Sequence, residues 1–278
     1  IVYEGDEAKG LHTRVFLTKE GLPTYEAKEI GNTEWKFATY PDTTRSVVVT
    51  ANEQNDYFRV IYAAIEDLHP EWKGKLVQVG HGMMRFAEGK MSSRKGNVIS
   101  GAELVESLAE RIAERFPNTE GLPDELATSV AVAAVKFQVL KQATGKDIIF
   151  DPEQSISFEG DSGPYLQYTH ARIASIERKA ADAGVVPNPS VHAGRAGELE
   201  RLISRFPRIV RRAALERAPH HVTNYLLELA RAFNSYYAST VILDDSPETP
   251  YKLALARAVR TVLKEGLWIL GIAAPEKM

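Results

Sequence analysis

SVVVTANEQNDYFRVIYAAIEDLHPEWKGKLVQVG, residues 46–80, decides the fold. Residues 46–50 are a short β-branched run of the kind buried in a parallel sheet. Residues 55–68 follow with Phe58, Ile61, Tyr62 and Ile65 at helical spacing, and residues 76–80 read as the next strand. Strand, helix and strand in that order predict a right-handed parallel unit, whose ligands bind beyond the carboxyl ends of its strands.

Downstream of that second strand lies GKMSSRKGNVIS, residues 89–100. Ser100 and Glu103 then form an S-x-x-E capping box at the head of a helix running through LVESLAERIAERF. The loop therefore falls where a ligand site is expected. Lys90, Ser92, Ser93, Arg94 and Lys95, flanked by glycines, suit closure over a polyphosphate, where hydroxyls donate and cations meet developing negative charge. A solvated basic loop is the competing explanation.

Composition bounds the rest. The 278 residues are 44% apolar, enough for about two domains with real cores. The chain has no Cys, which removes disulfides, thiolate nucleophiles and Cys-type zinc sites and is compatible with a reducing cytoplasm. It shows no signal peptide and no apolar run near eighteen residues, so a membrane span is not expected. Residues 1–120 carry 15 basic and 19 acidic groups, and residues 121–278 carry 19 and 18. Neither half binds polyanions by bulk charge, and nucleic-acid contacts must come from local patches. One patch is RAGELERLISRFPRIVRRAALER, residues 195–217, with seven Arg against three Glu. Its Arg208, Arg211 and Arg212 suit bidentate phosphate contacts, although a solvated helical face would look the same.

From about residue 121 the strand signals stop. The segments 124–142, 163–180, the Arg-rich pair broken at Pro207, 219–240 and 249–271 have helical period, and predict a bundle of four to six helices. Within it, Tyr165, Tyr168 and Arg172 form one set of rings and charge, and Asn234, Tyr236 and Tyr237 another. Either suits stacking on unpaired bases, and core packing is the alternative for each tyrosine. In GLPTYEAKEIG, residues 21–31, Tyr25 and Glu29 are four apart and share a helical face, as a guanidinium site or an ordinary surface pair would.

GKMSSRKGNVIS resembles the K-M-S-K-S loop of class I aminoacyl-tRNA synthetases, and with RKGN following it is most similar to the arginyl type. GLPTYEAKEIG, TANEQNDYF (50–58), DIIFDPEQSISFEGDSGPYLQYTHARIASI (147–176) and LGIAAPEKM (270–278) agree with that family. The resemblance implies an α/β then all-α chain: residues 1–120 as the second half of a Rossmann-type parallel-sheet catalytic domain, residues 121–278 as a helical anticodon-binding bundle. It implies arginine recognition by Tyr25, Glu29 and Gln54, adenine lying on Gly82, Met83 and Met84, and phosphate contacts from Lys90 and Lys95 with Ser92 anchoring the loop. ATP, Mg2+, L-arginine and the arginine tRNA follow as substrates and partners, in the cytoplasm. Oligomeric state stays open, with a monomer expected for the full-length protein.

Three departures matter. Ser93 stands where the class usually has the second loop Lys, so its charge must come from Arg94, Lys95 or elsewhere. Glu29 stands where the family often has Asp, and ANEQ replaces the common G-A-D-Q around Gln54. The H-I-G-H signature is absent among the seven His. The chain therefore reads as a C-terminal piece of an arginyl-tRNA synthetase, expected to be inactive alone. The alternatives are a non-catalytic RNA- or protein-binding module on a synthetase-like fold, and a class I synthetase of another type such as the cysteinyl one.

Overall fold

The computed structural model describes residues 1–87, 99–114, 124–191 and 195–278. Contacts divide the chain into two compact units, Ile1–Met83 with Thr144–Asp147, and Met84–Ala143 with Ile148–Met278.

The first unit contains β1 (Val2–Tyr3), β2 (Arg14–Val15), α1 (Tyr25–Thr39), β3 (Ser46–Ala51), α2 (Asn55–Leu68) and β4 (Leu76–His81). β3 and β4 pair in parallel, with Ser46 opposite Leu76 and Ala51 opposite His81, so the decisive stretch adopts the strand–helix–strand unit that its periods predict. α2 turns Ile61, Ala64 and Ile65 inward against Phe16, with Ile30 of α1, Trp72 and Leu76 around them. Burying aliphatic side chains of this size contributes about 1.5–3 kcal/mol each, and truncating a fully buried one, as in Ile61→Ala or Ile65→Ala, costs about 2–5 kcal/mol. On β3 the alternate residues Val47 and Val49 are 51% and 66% exposed, whereas parallel strands are ordinarily covered on both faces.

The second unit contains β5 (Met84–Phe86), α3 (Gly101–Glu114), α4 (Asp124–Leu140), β6 (Ile148–Phe150), α5 (Pro152–Ser155), α6 (Gly163–Asp182), α7 (Glu198–Glu216), α8 (His220–Ser239) and α9 (Thr249–Ile269). The capping box closes as expected: Glu103 N donates to Ser100 Oγ at 3.2 Å, and Ser100 N donates to Glu103 Oε2 at 2.7 Å. α3 buries Leu104, Leu108 and Ile112 against α4, which keeps it with the helical unit. α4 has no polar stripe because it serves two cores. Ala127, Val130, Ala131 and Ala134 face α3, while Ala133 and Phe137 face the bundle of α6, α8 and α9. Gly163 starts α6 hard against α4, where a Cβ would lie 2.3 Å from the Ala133 carbonyl oxygen.

Two expectations need correction. Strands do not stop at residue 121, because Ile148–Phe150 pairs in parallel with Met84–Phe86. Three residues are too few for a period to register. Nor does Pro207 break the Arg-rich segment: α7 runs continuously from Glu198 to Glu216 with Pro207 inside it. Burial of Leu199 and Leu202, the packing of Ile203, Phe206 and Ile209 on the bundle core, and the Phe206–Tyr225 stack at 5.8 Å offset the lost backbone hydrogen bond. Among the described residues no helix is long and apolar enough to cross a membrane.

Candidate functional site

The carboxyl end of β3 opens into a cleft of about 750 Å3 whose walls include Tyr25, Glu29 and Gln54. Three residues separated by up to 29 positions in sequence are thus brought together. Thr24, which caps α1, donates its hydroxyl to the Val15 and Phe16 carbonyls at 2.9 and 3.0 Å, and so ties the helix start to β2. That tether presents Tyr25, 80% exposed, at the cleft rim. Gln54 comes from the single 3-10 turn Asn52–Gln54 that follows β3. Beneath it Gln78 donates to both Thr50 Oγ1 and Asn55 Oδ1 at 2.9 Å, which locks the strand end.

Glu29 accepts from Asn32 Nδ2 at 3.1 Å and lies 3.6 Å from Lys36 Nζ. Sequence reasoning missed further members of the cleft. Glu26, one helical turn before Glu29, lines it and accepts from Arg14 Nη1 at 3.2 Å. Tyr57 lines the other side, three residues after Gln54, with the Arg14 guanidinium carbon 5.1 Å from its ring centre. Burial, aided by the Glu26 and Glu29 carboxylates, pushes the Tyr57 phenol up to about 12, so it stays protonated. The i,i+3 spacing of Glu26 to Glu29, and of Gln54 to Tyr57, was the signal that could have found both. The cleft therefore offers carboxylates, an amide and aromatic rings, which together suit a planar cation.

The end of β4 packs closely on residues 145–147. Gly82 cannot carry a side chain, since a Cβ would lie 2.0 Å from the Lys146 carbonyl oxygen. Met83 N donates to Asp147 Oδ1 at 3.0 Å, and Met83 and Met84 are 47% and 40% exposed. His81 donates through Nδ1 to the Gly82 carbonyl at 2.9 Å, and Asn52 donates to the Gly145 carbonyl at 3.1 Å, so both side chains are engaged with nearby backbone. Lys90, Ser92, Ser93, Arg94 and Lys95 lie outside the described residues.

In the second unit, the two tyrosine-containing sets converge. Tyr165, Tyr168, Arg172 and Asn234 line one depression of about 370 Å3 together with Phe158, which the sequence reading had passed over. Arg172 lies over the rings of Tyr168 and Tyr237, at 4.8 and 5.4 Å. Tyr236 is not brought to this face. It packs on the bundle core and lines a different cavity with Glu200, Glu248 and Tyr251, because neighbouring helical residues point about 100° apart. Arg208, Arg211 and Arg212 are exposed on α7. Arg212 Nε pairs with Glu216 at 2.9 Å, whereas Arg208 and Arg211 have no carboxylate partner among the described residues. Those residues also contain no cluster of three His, Asp or Glu able to hold a metal ion.

Residues 2–152 match the family of class I tRNA synthetases (R), catalytic domain, and residues 166–278 match the DALR anticodon binding domain. The arginine–tRNA ligase of Streptococcus agalactiae serotype Ia is 37% identical over 272 residues, covering 96% of this chain and 48% of its own. That of Bacteroides thetaiotaomicron is 33% identical over 285 residues, covering 98% and 48%. The solved structure of Thermus thermophilus arginyl-tRNA synthetase superposes with a TM-score of 0.79 at 30% identity, over 96% of this chain and 51% of that one. The chain spans about half the length of the curated relatives it matches.

Proposed function

We propose, proceeding from the fact that this chain belongs to the class I arginyl-tRNA synthetase family, that the whole protein activates arginine with ATP and transfers it to the arginine tRNA. The observation that carries this reading is the convergence of Tyr25, Glu29 and Gln54 on one cleft at the carboxyl end of a parallel strand. A guanidinium is planar, always charged and acceptor-free. Glu29 supplies the charge, Gln54 a carbonyl, and Tyr25 and Tyr57 the aromatic walls.

In the first step the arginine carboxylate attacks the α-phosphorus of ATP, forming arginyl-adenylate and releasing pyrophosphate. In the second, the terminal ribose hydroxyl of the tRNA attacks the acyl carbon and AMP leaves. Because the substrates supply nucleophile and leaving group, the protein works by positioning and electrostatics. Lys90 and Lys95 meet the phosphates, with Ser92, Ser93 and Arg94 in the same loop, and the adenine rests on Gly82, Met83 and Met84. The described residues build no cage for Mg2+. The ion enters this proposal as the companion of the ATP phosphates, part of the substrate. The bundle, with Tyr165, Tyr168, Arg172, Asn234 and Tyr237, reads unpaired anticodon bases, while Arg208, Arg211 and Arg212 meet phosphates. Cytoplasmic residence accompanies this role.

The experiment is arginine-dependent exchange of pyrophosphate into ATP by the polypeptide that carries this chain. Glu29→Gln should raise the KM for arginine by about tenfold or more, since a charge-assisted acceptor is lost. Binding of tRNA with no exchange under any condition would instead favour the non-catalytic module.

A further inference from the structure

The cleft holds two carboxylates on one face of α1, yet a single guanidinium needs only one partner. Glu26 and Glu29 are three apart, and both line the cavity. Their partners differ in kind. The two side chains are almost equally buried, 15% and 18% exposed, and what differs is the partner: Glu26 is held by Arg14, which reaches it from β2 at 3.2 Å and lies over the Tyr57 ring at 5.1 Å. Among the described residues Glu29 has an amide at 3.1 Å and the Lys36 ammonium at 3.6 Å as its partners. An ammonium is a compact, strongly hydrated charge on a flexible stem, and an incoming guanidinium can displace it. A guanidinium that is hydrogen-bonded to its carboxylate and lies over a ring holds that carboxylate more firmly than such an ammonium does.

We infer that Arg14 is a positioning residue that masks Glu26, leaving Glu29 as the one carboxylate open to a substrate cation and so fixing the register in which arginine binds. This rests on the reading of the cleft as an arginine site. Arg14 is not on the cleft wall and acts through Glu26 and Tyr57. Its charge also opposes the two carboxylates at the Tyr57 phenol. Without it, Glu26 becomes a second acceptor one turn away, and a cationic side chain can settle there with its carboxylate misplaced for attack.

The test is a cycle of Arg14→Gln, Glu26→Gln and the double variant, read as KM and kcat for arginine in pyrophosphate exchange, with lysine as competitor. Each single change leaves one uncompensated charge beside the cleft and should raise the arginine KM by about tenfold with kcat little changed. Arg14→Gln should also strengthen inhibition by lysine. The double variant, which removes both charges, should return the KM to within about threefold of the starting protein. A double variant no better than the singles, or singles without effect, would overturn the inference. Where Arg14→Gln alone does not fold, the comparison of Glu26→Gln with the double variant decides in the same way. Glu29→Gln, run in parallel, separates the two proposals. An unchanged KM there removes the arginine cleft itself, whereas a raised KM without rescue in the cycle removes only the role of Arg14.

Discussion

Arg172 Nη1 donates to Asn234 Oδ1 across 2.6 Å, joining α6 to α8. The Asn234 amide donates onward to the Tyr165 hydroxyl at 2.9 Å and to Thr169 Oγ1 at 3.0 Å. One amide thus connects a guanidinium, a phenol and a hydroxyl on the face where the two candidate base-reading sets meet. Asn234→Ala should strip all three at once and cost about 2–3 kcal/mol, because half-buried polar groups then lose their partners. Urea unfolding measures that cost. Binding of an anticodon stem-loop should weaken in the same variant, since Arg172 no longer holds its place over Tyr168 and Tyr237. A loss near zero in both would mean the network is ornamental.

Local rules carried most of the fold. The β3–α2–β4 stretch, the Ser100–Glu103 box and the long helices each have a period or a cap that involves only near neighbours. What escaped depended on partners distant in sequence. Met84–Phe86 and Ile148–Phe150 are strands only because they find each other. Pro207 stays helical because a long amphipathic face outweighs one missing donor. For the cleft, the spacing of Tyr25 and Glu29 fits an ordinary surface pair equally well, and it took the resemblance to single them out and to join Gln54 to them. Arg14 was invisible, since nothing in a two-residue strand signals that its side chain will settle behind Glu26.

Salt dependence separates the three arginines of α7. Arg208 and Arg211 have no carboxylate partner among the described residues, while Arg212 shares Glu216 with His221, whose Nε2 is 2.5 Å from that carboxylate. Arg208→Ala and Arg211→Ala should each weaken tRNA binding and lower the slope of log affinity against log salt by about 1. Arg212→Ala should do less, because its charge is already half neutralised. Filter binding at several salt concentrations is the measurement, and three unchanged slopes would remove this patch from the tRNA contact.

His170 makes the bundle sensitive to acid. It is fully buried, its Nδ1 donates to the Pro275 carbonyl at 2.9 Å, and its Nε2 has no hydrogen-bond partner among the described residues. Burial holds its pKa below the usual histidine value, with Arg260 and Lys264 of α9 acting the same way and Glu276 opposing them. A lowered folded pKa means that the unfolded chain binds more protons once the pH drops below about 6.5, so this contribution is complete above that pH and is lost as it falls. Urea midpoints between about pH 5.5 and 7.5 should therefore decline on the acid side, and His170→Gln should flatten the decline. An identical slope in the variant would assign the acid sensitivity to other groups.

Pro207 offers the reverse case, a substitution that should stabilise. It is exposed, sits near the middle of a 19-residue helix and lacks the N–H that would donate to the Ile203 carbonyl. A proline ring also crowds the carbonyl four residues before it, and the combined penalty in a helix interior is about 3 kcal/mol. Alanine at this position has no core contact to lose and can make the missing hydrogen bond. Pro207→Ala should therefore raise stability by up to ~3 kcal/mol, less whatever the freed unfolded chain regains in entropy. Thermal unfolding reads the shift directly. A lowered midpoint would mean that Pro207 is needed to seat Phe206 on Tyr225 and to keep the Tyr225 hydroxyl donating to the Leu202 carbonyl at 2.9 Å, and that α7 is shaped by its proline rather than merely tolerating it.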